Sequence, residues 1–358
     1  MSPVFIIAEA GVNHDGSLER AVELVDVAAS AGADAVKFQT FRSEMVVSRR
    51  ARKAEYQEKS TGSQESQLDM IRKLELTDEA FRSLKKHADS RGILFLSTPF
   101  DEPSVEALVA LGVDRLKLPS GELTNPLLLR RAAATGLPLI VSTGMATLGE
   151  VEVALGFLTG AWLGTPQESA QAFASVEGQR LLRERVILLH CTTEYPAPVA
   201  EVNLRAMQTL GQAFGLPVGF SDHTVGIAVS LAAVALGACV IEKHFTLDKS
   251  LPGPDHQASL EPGELTALVS GIRSVEGALG SPIKLPTASE RKNIAVARRS
   301  LVAARQIQKG ELFSAENVTA KRPGNGISAL RFDELVGTPA SRDFEEDELL
   351  ERSEAARA

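Results

Sequence analysis

The sequence predicts an α/β protein, a parallel (β/α)8 barrel followed by a small β-rich domain, and three observations lead there. Short apolar, β-branched runs alternate with helical stretches from Val4 to about Gly280, and about eight such runs can be picked out. No glycine-rich dinucleotide fingerprint follows the first run, as an open doubly wound sheet would lead one to expect. Polar residues gather where the runs give way to loops, the end at which barrels keep their chemistry.

The expected strands lie at 4–10, 35–40, 93–99, 115–119, 137–143, 186–192, 217–221 and 239–245. Helical segments at 18–31, 103–111, 127–134, 204–214, 227–236 and 262–279 fall between or after them, several ending at glycine as helix C-termini commonly do. Two stretches break the rhythm. Residues 48–67 begin basic (Arg49, Arg50, Arg52, Lys53) and turn rich in Ser and Gln, the make-up of a loop over the barrel mouth or of a solvated excursion. Residues 160–180, which hold the only tryptophan, Trp162, read as an insertion before the sixth strand with no function attached. From about Ser289 the alternation stops. Strand-like pieces such as 300–303 then alternate with turn residues in Gln308-Lys309-Gly310-Glu311 and Arg322-Pro323-Gly324-Asn325-Gly326. The expected division is a catalytic barrel over 1–285 and a linker with a β-rich domain over 286–358.

Composition bounds the function. With 44% hydrophobic and 23% charged residues among 358, the chain has the profile of a soluble globular protein, and its net charge of −8 argues against nucleic acid or an anionic membrane as partner. Cys191 and Cys239 both sit in apolar runs, which fits buried reduced thiols in a cytoplasmic protein. Neither a basic leader nor a long apolar stretch is visible, so no signal peptide or membrane span is expected.

Polar side chains at the ends of barrel strands call for explanation, because helices cover one face of each strand and the packed centre fills the other. The series runs Glu9, Asn13 and His14; Lys37 and Gln39; Ser97 and Thr98; Lys117, Ser120 and Glu122; Ser142 and Thr143; His190, Thr193 and Tyr195; Asp222 and His223; Glu242 and His244. Lys37 and Lys117 lie within strand-like runs, where an unpaired ammonium is costly to bury, so each should face an anion or a carboxylate. A phosphate is the natural candidate, with Ser120-Gly121 and Ser142-Thr143-Gly144 adding hydroxyls and backbone amides at turns. His223 and His244 stand one strand-helix unit apart and would face one metal-sized space. They supply nitrogen ligands, and Glu9, Glu122, Glu242 or Asp255 could add oxygen or act as bases, a mixture that suits Mn2+ or another divalent cation.

Over nearly its whole length the chain resembles the sialic acid synthases. The resemblance rests on Ala8-Glu9-Ala10-Gly11-Val12-Asn13-His14-Asp15-Gly16, Val36-Lys37-Phe38-Gln39-Thr40, Lys117-Leu118-Pro119-Ser120-Gly121-Glu122, Ser142-Thr143-Gly144-Met145 and Leu189-His190-Cys191-Thr192. It continues through Tyr195-Pro196, Ser221-Asp222-His223-Thr224, Glu242-Lys243-His244-Phe245-Thr246, Gly253-Pro254-Asp255-His256 and Lys321-Arg322-Pro323-Gly324-Asn325-Gly326. It implies condensation of phosphoenolpyruvate with an N-acetylated hexose, releasing phosphate, in a barrel whose C-terminal antifreeze-like (SAF) domain is exchanged across a homodimer. By the same resemblance, His223 and His244 bind Mn2+, and Lys37, Thr98, Lys117, Ser120 and Ser142 form the phosphoenolpyruvate site. Glu9, Tyr195 and Asp255 contact the sugar or metal-bound water, Glu122 and Glu242 lie near the reacting carbons, and Arg322 reaches the sugar of the other subunit.

Thr193 departs from synthases of N-acetylneuraminate, which often carry asparagine there. Thr193-Glu194-Tyr195-Pro196 is similar instead to relatives making legionaminic or related diamino sugars, so both N-acetylmannosamine and a 2,4-diacetamido-trideoxyhexose stand as acceptors. Two other readings compete: an octulosonate-type synthase, which would need a phosphorylated sugar, and a non-catalytic binding or ice-interacting protein suggested by the tail. Two lysines, two histidines and several carboxylates converging on one rim have no use in the latter.

Overall fold

The computed structural model describes residues 3–54, 57, 58 and 65–351. The chain forms two compact units, residues 1–280 and 281–358. The first contains the strands β1 Phe5–Gly11, β2 Ala35–Thr40, β3 Leu94–Pro99, β4 Leu116–Leu118, β5 Leu139–Ser142, β6 Val186–Cys191, β7 Val218–Asp222 and β8 Val240–His244. They pair in parallel in the order β3-β2-β1-β8-β7-β6-β5-β4. The two ends of that order, β3 and β4, pack side by side, so the sheet curls into a nearly closed barrel. Each expected run matches one of these strands to within a few residues at either end.

One barrel helix follows each strand: α1 Leu18–Ala31, α2 Asp78–Arg91, α3 Glu102–Leu111, α4 Pro126–Ala134, α5 Leu148–Trp162, α6 Arg205–Phe214, α7 Ala228–Ala235 and α8 Pro262–Leu279. Local chemistry sets their ends. Ser17, Thr77, Asp101 and Thr147 cap helix N-termini through side-chain oxygens, and Gly32 closes α1 at φ 80°, a conformation in which a Cβ would be strained. Outward strand residues such as Ile6, Val36, Phe95, Val141, Leu188 and Ile241 bury themselves under these helices. The inward set Ile7, Ala35, Leu96, Ile140, Leu189 and Val240 forms a separate apolar plug in the barrel centre. Gly219 completes the plug. A Cβ there would lie 2.5 Å from the Val240 carbonyl oxygen and 2.7 Å from Leu189 Cδ2, so only glycine fits.

The stretch read as an insertion is largely helical. α5 runs on to Trp162, and two further helices, Ser169–Ala174 and Val176–Arg185, lead into β6. Trp162 is a packing residue, its indole N–H donating to the Ala133 carbonyl at 2.9 Å beneath the Arg185 guanidinium. Of the expected mouth loop over 48–67, residues 55, 56 and 59–64 lie outside the described residues. Among the described residues, no helix is long and apolar enough to cross a membrane.

In the second unit, the helix α9 Ala288–Ala297 starts at a Thr287/Glu290 capping box and presents no buried residue. Beyond it, β9 Ser300–Ala303 and β10 Val318–Lys321 pair antiparallel over a small core that includes Leu301, Ile307, Phe313, Val318, Leu335 and Phe344.

Candidate active site

Side chains in a strand alternate between faces, so the inward residues two positions beyond the apolar plug share a layer. In this barrel that layer is polar: Glu9 on β1, Lys37 on β2, Thr98 on β3, Ser142 on β5, Cys191 on β6 and Glu242 on β8, joined by Lys117 on β4 and Ser221 on β7. It floors a cavity of about 280 Å3 that is also lined by Ser120, Thr193, Tyr195, His223, His244 and Asp255. Of the fourteen residues to which the sequence assigns a role toward metal, phosphoenolpyruvate, sugar or proton transfer, twelve therefore meet in one space.

The other two stand elsewhere. Glu122 is not among the lining residues, because the one-turn helix Ser120–Glu122 turns its carboxylate to accept from Asn125 Nδ2 at 2.7 Å. Arg322 belongs to the second unit, where it is exposed and donates through Nε to the Ala297 carbonyl at 3.0 Å. The same alternation removes rim residues that the sequence grouped with the site. His190 faces outward against Phe220 and donates from Nε2 to the Val202 carbonyl, and Asp222 pairs outward with Lys243 at 3.1 Å.

The charges of the floor are interlocked. Lys37 Nζ sits 2.6 Å from Glu9 Oε2 and 3.5 Å from Glu242 Oε2, and donates to Thr98 Oγ1 at 2.9 Å. Lys117 Nζ lies 3.0 Å from Glu242 Oε1, which also accepts from the Ser221 hydroxyl at 2.9 Å. Lys37, Glu9 and Glu242 are each at most 3% exposed. Burial works against charge on Glu242, yet the Lys117 and Lys37 ammoniums hold its carboxyl below the usual carboxylate range. Glu9 has a smaller share of that stabilisation. Burial pushes it up to about 7 against the pull of Lys37, so two neighbouring carboxyls differ in protonation near neutral pH.

One wall is built for oxygen-rich chemistry. Ser120 Oγ accepts from the Gly144 amide at 3.0 Å and touches Cys191 Sγ at 3.0 Å. A Cβ on Gly144 would fall 2.3 Å from Thr193 Oγ1 and 2.8 Å from both Ser120 Oγ and Cys191 Sγ, so the turn needs glycine to bring its amide this close. Burial pushes the Cys191 thiol up, leaving it neutral. Ser142 Oγ, Thr193 Oγ1 and His244 Nδ1 are buried without a hydrogen-bond partner among the described residues. Such orphaned groups in a cavity mark positions that a ligand or solvent satisfies.

The two imidazoles are buried beside one another at the cavity. His223 Nδ1 lies 2.6 Å from the Thr192 carbonyl, an acceptor only, so Nδ1 carries the proton and Nε2 offers its lone pair. Burial lowers His223 to about 4 and His244 well below its ordinary value, so both rings are neutral. Their centroids are 5.6 Å apart, with the Tyr195 ring 4.2 Å from His223 and 5.7 Å from His244. Asp255 Oδ2 is 4.0 Å from His244 Nδ1, and burial raises its carboxyl to about 6. Among the described residues, no three His, Cys, Asp or Glu side chains converge as a complete metal site. Two neutral imidazoles, one with an orphaned nitrogen, suit a divalent cation whose remaining positions go to solvent or substrate.

The opposite wall is apolar and comes from loops after β1, β2 and β3: Val12, Phe41, Val46, Val47, Ile71 and Leu74, with Phe100. Sequence reasoning missed it, because these residues are scattered over three loops and none carries a motif.

A sequence profile of the NeuB family matches residues 24–284, and one of the SAF domain matches 298–353. The chain is 53% identical to the N,N'-diacetyllegionaminic acid synthase of Campylobacter jejuni over 350 residues, 98% of this chain and 99% of that one. It is 48% identical to the N,N'-diacetyllegionaminic acid synthase of Legionella pneumophila, covering 94% of this chain and 90% of the relative. The crystal structure of an N-acetylneuraminic acid (sialic acid) synthetase from Leptospira borgpetersenii, in complex with citrate, superposes with a TM-score of 0.68 at 36% identity, over 82% of this chain and 90% of that one. The chain belongs to the NeuB family of nonulosonic acid synthases.

Proposed function

We propose that the protein condenses phosphoenolpyruvate with 2,4-diacetamido-2,4,6-trideoxymannose and water, giving N,N'-diacetyllegionaminic acid and inorganic phosphate. The observation that carries this reading is one cavity combining two lysines locked around Glu242 with a neutral imidazole pair. Lys37 and Lys117 hold the carboxylate and phosphate of the enol substrate, with the hydroxyls of Thr98, Ser120 and Ser142 as neutral donors. A divalent cation, Mn2+ or a similar ion, bound by His223 and His244 supplies a Lewis acid for the sugar's carbonyl.

The carbon-carbon bond forms as C3 of phosphoenolpyruvate attacks the aldehyde carbon of the open-chain sugar. Positive charge then develops at C2, and the anionic Glu242 stabilises it. Water adds at C2, giving one proton to a carboxylate that returns it to the alkoxide formed from the aldehyde, and the C2–O bond to phosphate breaks as the second proton of that water leaves with the phosphate, giving the keto acid. Glu9, with its carboxyl at about 7, suits that proton transfer near neutral pH. Tyr195, Thr193 and Asp255 face the sugar.

Three features favour the trideoxy acceptor. The two relatives at 53% and 48% identity are named for its product. Thr193 offers a short hydroxyl. The apolar wall provides contact for a 6-methyl group where N-acetylmannosamine carries a hydroxymethyl. N-acetylmannosamine is the second reading, since an apolar wall discriminates only modestly against an added hydroxyl. We further infer a homodimer in which the partner's Arg322 reaches the sugar, supported by its exposure, and a cytoplasmic location, supported by the unpaired cysteines Cys191 and Cys239.

The test is phosphate release with Mn2+ and phosphoenolpyruvate, using each acceptor in turn, with the product mass read alongside. Release with the diacetamido sugar at the higher kcat/KM supports the proposal. Release only with N-acetylmannosamine reverses the acceptor, and release with neither ends the reading.

A further inference from the structure

Behind the cavity wall lies a cluster that the proposed chemistry does not use. His256 is fully buried. Its Nδ1 meets Thr246 Oγ1 at 2.7 Å, and its Nε2 lies 3.1 and 3.2 Å from the two carboxylate oxygens of Asp15. A carboxylate only accepts, so Nε2 carries a proton and donates to Asp15. Asp15 sits in the β1–α1 loop at φ 47°, a left-handed conformation that Asp tolerates better than most residues, and is also paired with Arg20. From the same loop, Asn13 Nδ2 donates to the Phe245 carbonyl at 2.8 Å and to Ser259 Oγ at 2.9 Å. Two loops at opposite ends of the barrel sequence are thus clasped together.

The clasped segment carries Asp255. Ser259 Oγ donates to the Asp255 carbonyl at 2.7 Å, and Ala258 N–H donates to it at 3.3 Å. Among the described residues, no hydrogen bond holds the Asp255 carboxylate itself, so its aim into the cavity depends on the backbone that carries it. Gly253 shows how tightly that backbone is laid down. A Cβ there would lie 2.6 Å from His256 Cδ2 and 2.9 Å from Asp15 Oδ1.

We propose that His256, clamped between Asp15 and Thr246, is a positioning residue that holds the β8–α8 loop so that Asp255 faces the acceptor sugar. It does not line the cavity and touches no reacting atom. The inference rests on the proposed reading only in taking Asp255 as acceptor-facing; the clasp itself stands on the hydrogen bonds above.

The test uses the full-length enzyme with His256→Ala, His256→Gln, Asp255→Asn and the double variant His256→Ala/Asp255→Asn. Phosphate release with Mn2+ should show the acceptor KM rising about tenfold in His256→Ala while the phosphoenolpyruvate KM stays within about twofold. His256→Gln, which can still donate to Asp15, should recover most of the loss. In the Asp255→Asn background, His256→Ala should add less than about twofold, because a residue acting through Asp255 has nothing left to position. Equal changes in both KM values, or an undiminished effect in the double variant, would overturn the proposal. Amide hydrogen exchange gives a second readout independent of turnover. In His256→Ala, the amides of Ala258 and Ser259 should exchange at least tenfold faster while those of β8 hold. Unchanged exchange there overturns the clasp even if no acceptor is ever turned over, whereas a wild-type enzyme inactive with every acceptor counts against the proposed function alone.

Discussion

Replacing Lys37 with methionine removes the ammonium shared by Glu9, Glu242 and Thr98. At an effective dielectric of about 20, the 2.6 Å Lys37–Glu9 contact alone carries about 6 kcal/mol of Coulomb energy before desolvation is charged against it. Breaking a buried pair by removing one partner typically costs about 3–5 kcal/mol, since a carboxylate is left buried without its cation. The cost depends on pH. Glu9 already stands at about 7, and losing the Lys37 charge raises it further. A carboxyl whose folded pKa lies above its unfolded value contributes most at low pH and loses that contribution as pH rises through the folded value. Protonated Glu9 therefore tolerates the substitution at pH 6, and ionised Glu9 does not at pH 8.5. If the variant's Glu9 titrates two units higher than in the wild type, the penalty is about 2 kcal/mol smaller at the lower pH. Urea unfolding of both proteins at the two pH values, in chelator, measures this directly. A loss under about 1 kcal/mol at pH 8.5, or the same loss at both pH values, would refute the reasoning. Lys37→Met/Glu9→Gln should recover much of the stability lost at pH 8.5.

Further substitutions separate binding from packing. Gly144→Ala drives a methyl against Ser120, Thr193 and Cys191, so the phosphoenolpyruvate KM should rise at least about tenfold, as read by phosphate release. Gly219→Ala collides with the Val240 carbonyl inside the apolar plug and should cost about 3 kcal/mol in urea unfolding. His223→Ala/His244→Ala should leave the circular dichroism spectrum intact while Mn2+ retained after desalting, measured by elemental mass spectrometry, falls below about a tenth of the wild-type amount. Retention of the metal by that variant would place the cation elsewhere.

The barrel was legible because its signal is local and repeated: each strand is an apolar run punctuated by loop residues, and the matches extend to β4, only three residues long. The helices α2 and α5 escaped notice in the longest interruptions of the pattern. α2 has a strongly polar sequence with one apolar face, and α5 is apolar nearly all round. At the site, residue types were readable but directions were not. Strand parity decides that Lys37 and Glu242 point inward while Asp222 and His190 point outward, and it becomes usable only when strand bounds are fixed to the residue. Glu122 was grouped with the carboxylates by its motif, and a single turn of helix sends it to Asn125. The apolar wall and the Asp15–His256 clasp, whose partners stand 241 residues apart, exist only through barrel closure.

Relaxation of the phosphorus-31 signal of phosphoenolpyruvate asks whether lysine pair and imidazole pair serve one pocket, because Mn2+ broadens a phosphorus nucleus steeply with proximity. Wild-type protein loaded with Mn2+ should broaden the signal of bound phosphoenolpyruvate well beyond free Mn2+ at equal concentration, and His223→Ala/His244→Ala should abolish the excess while still binding the ligand. Excess broadening that survives in that variant, or that is absent from the wild type at saturating phosphoenolpyruvate, would contradict a shared site.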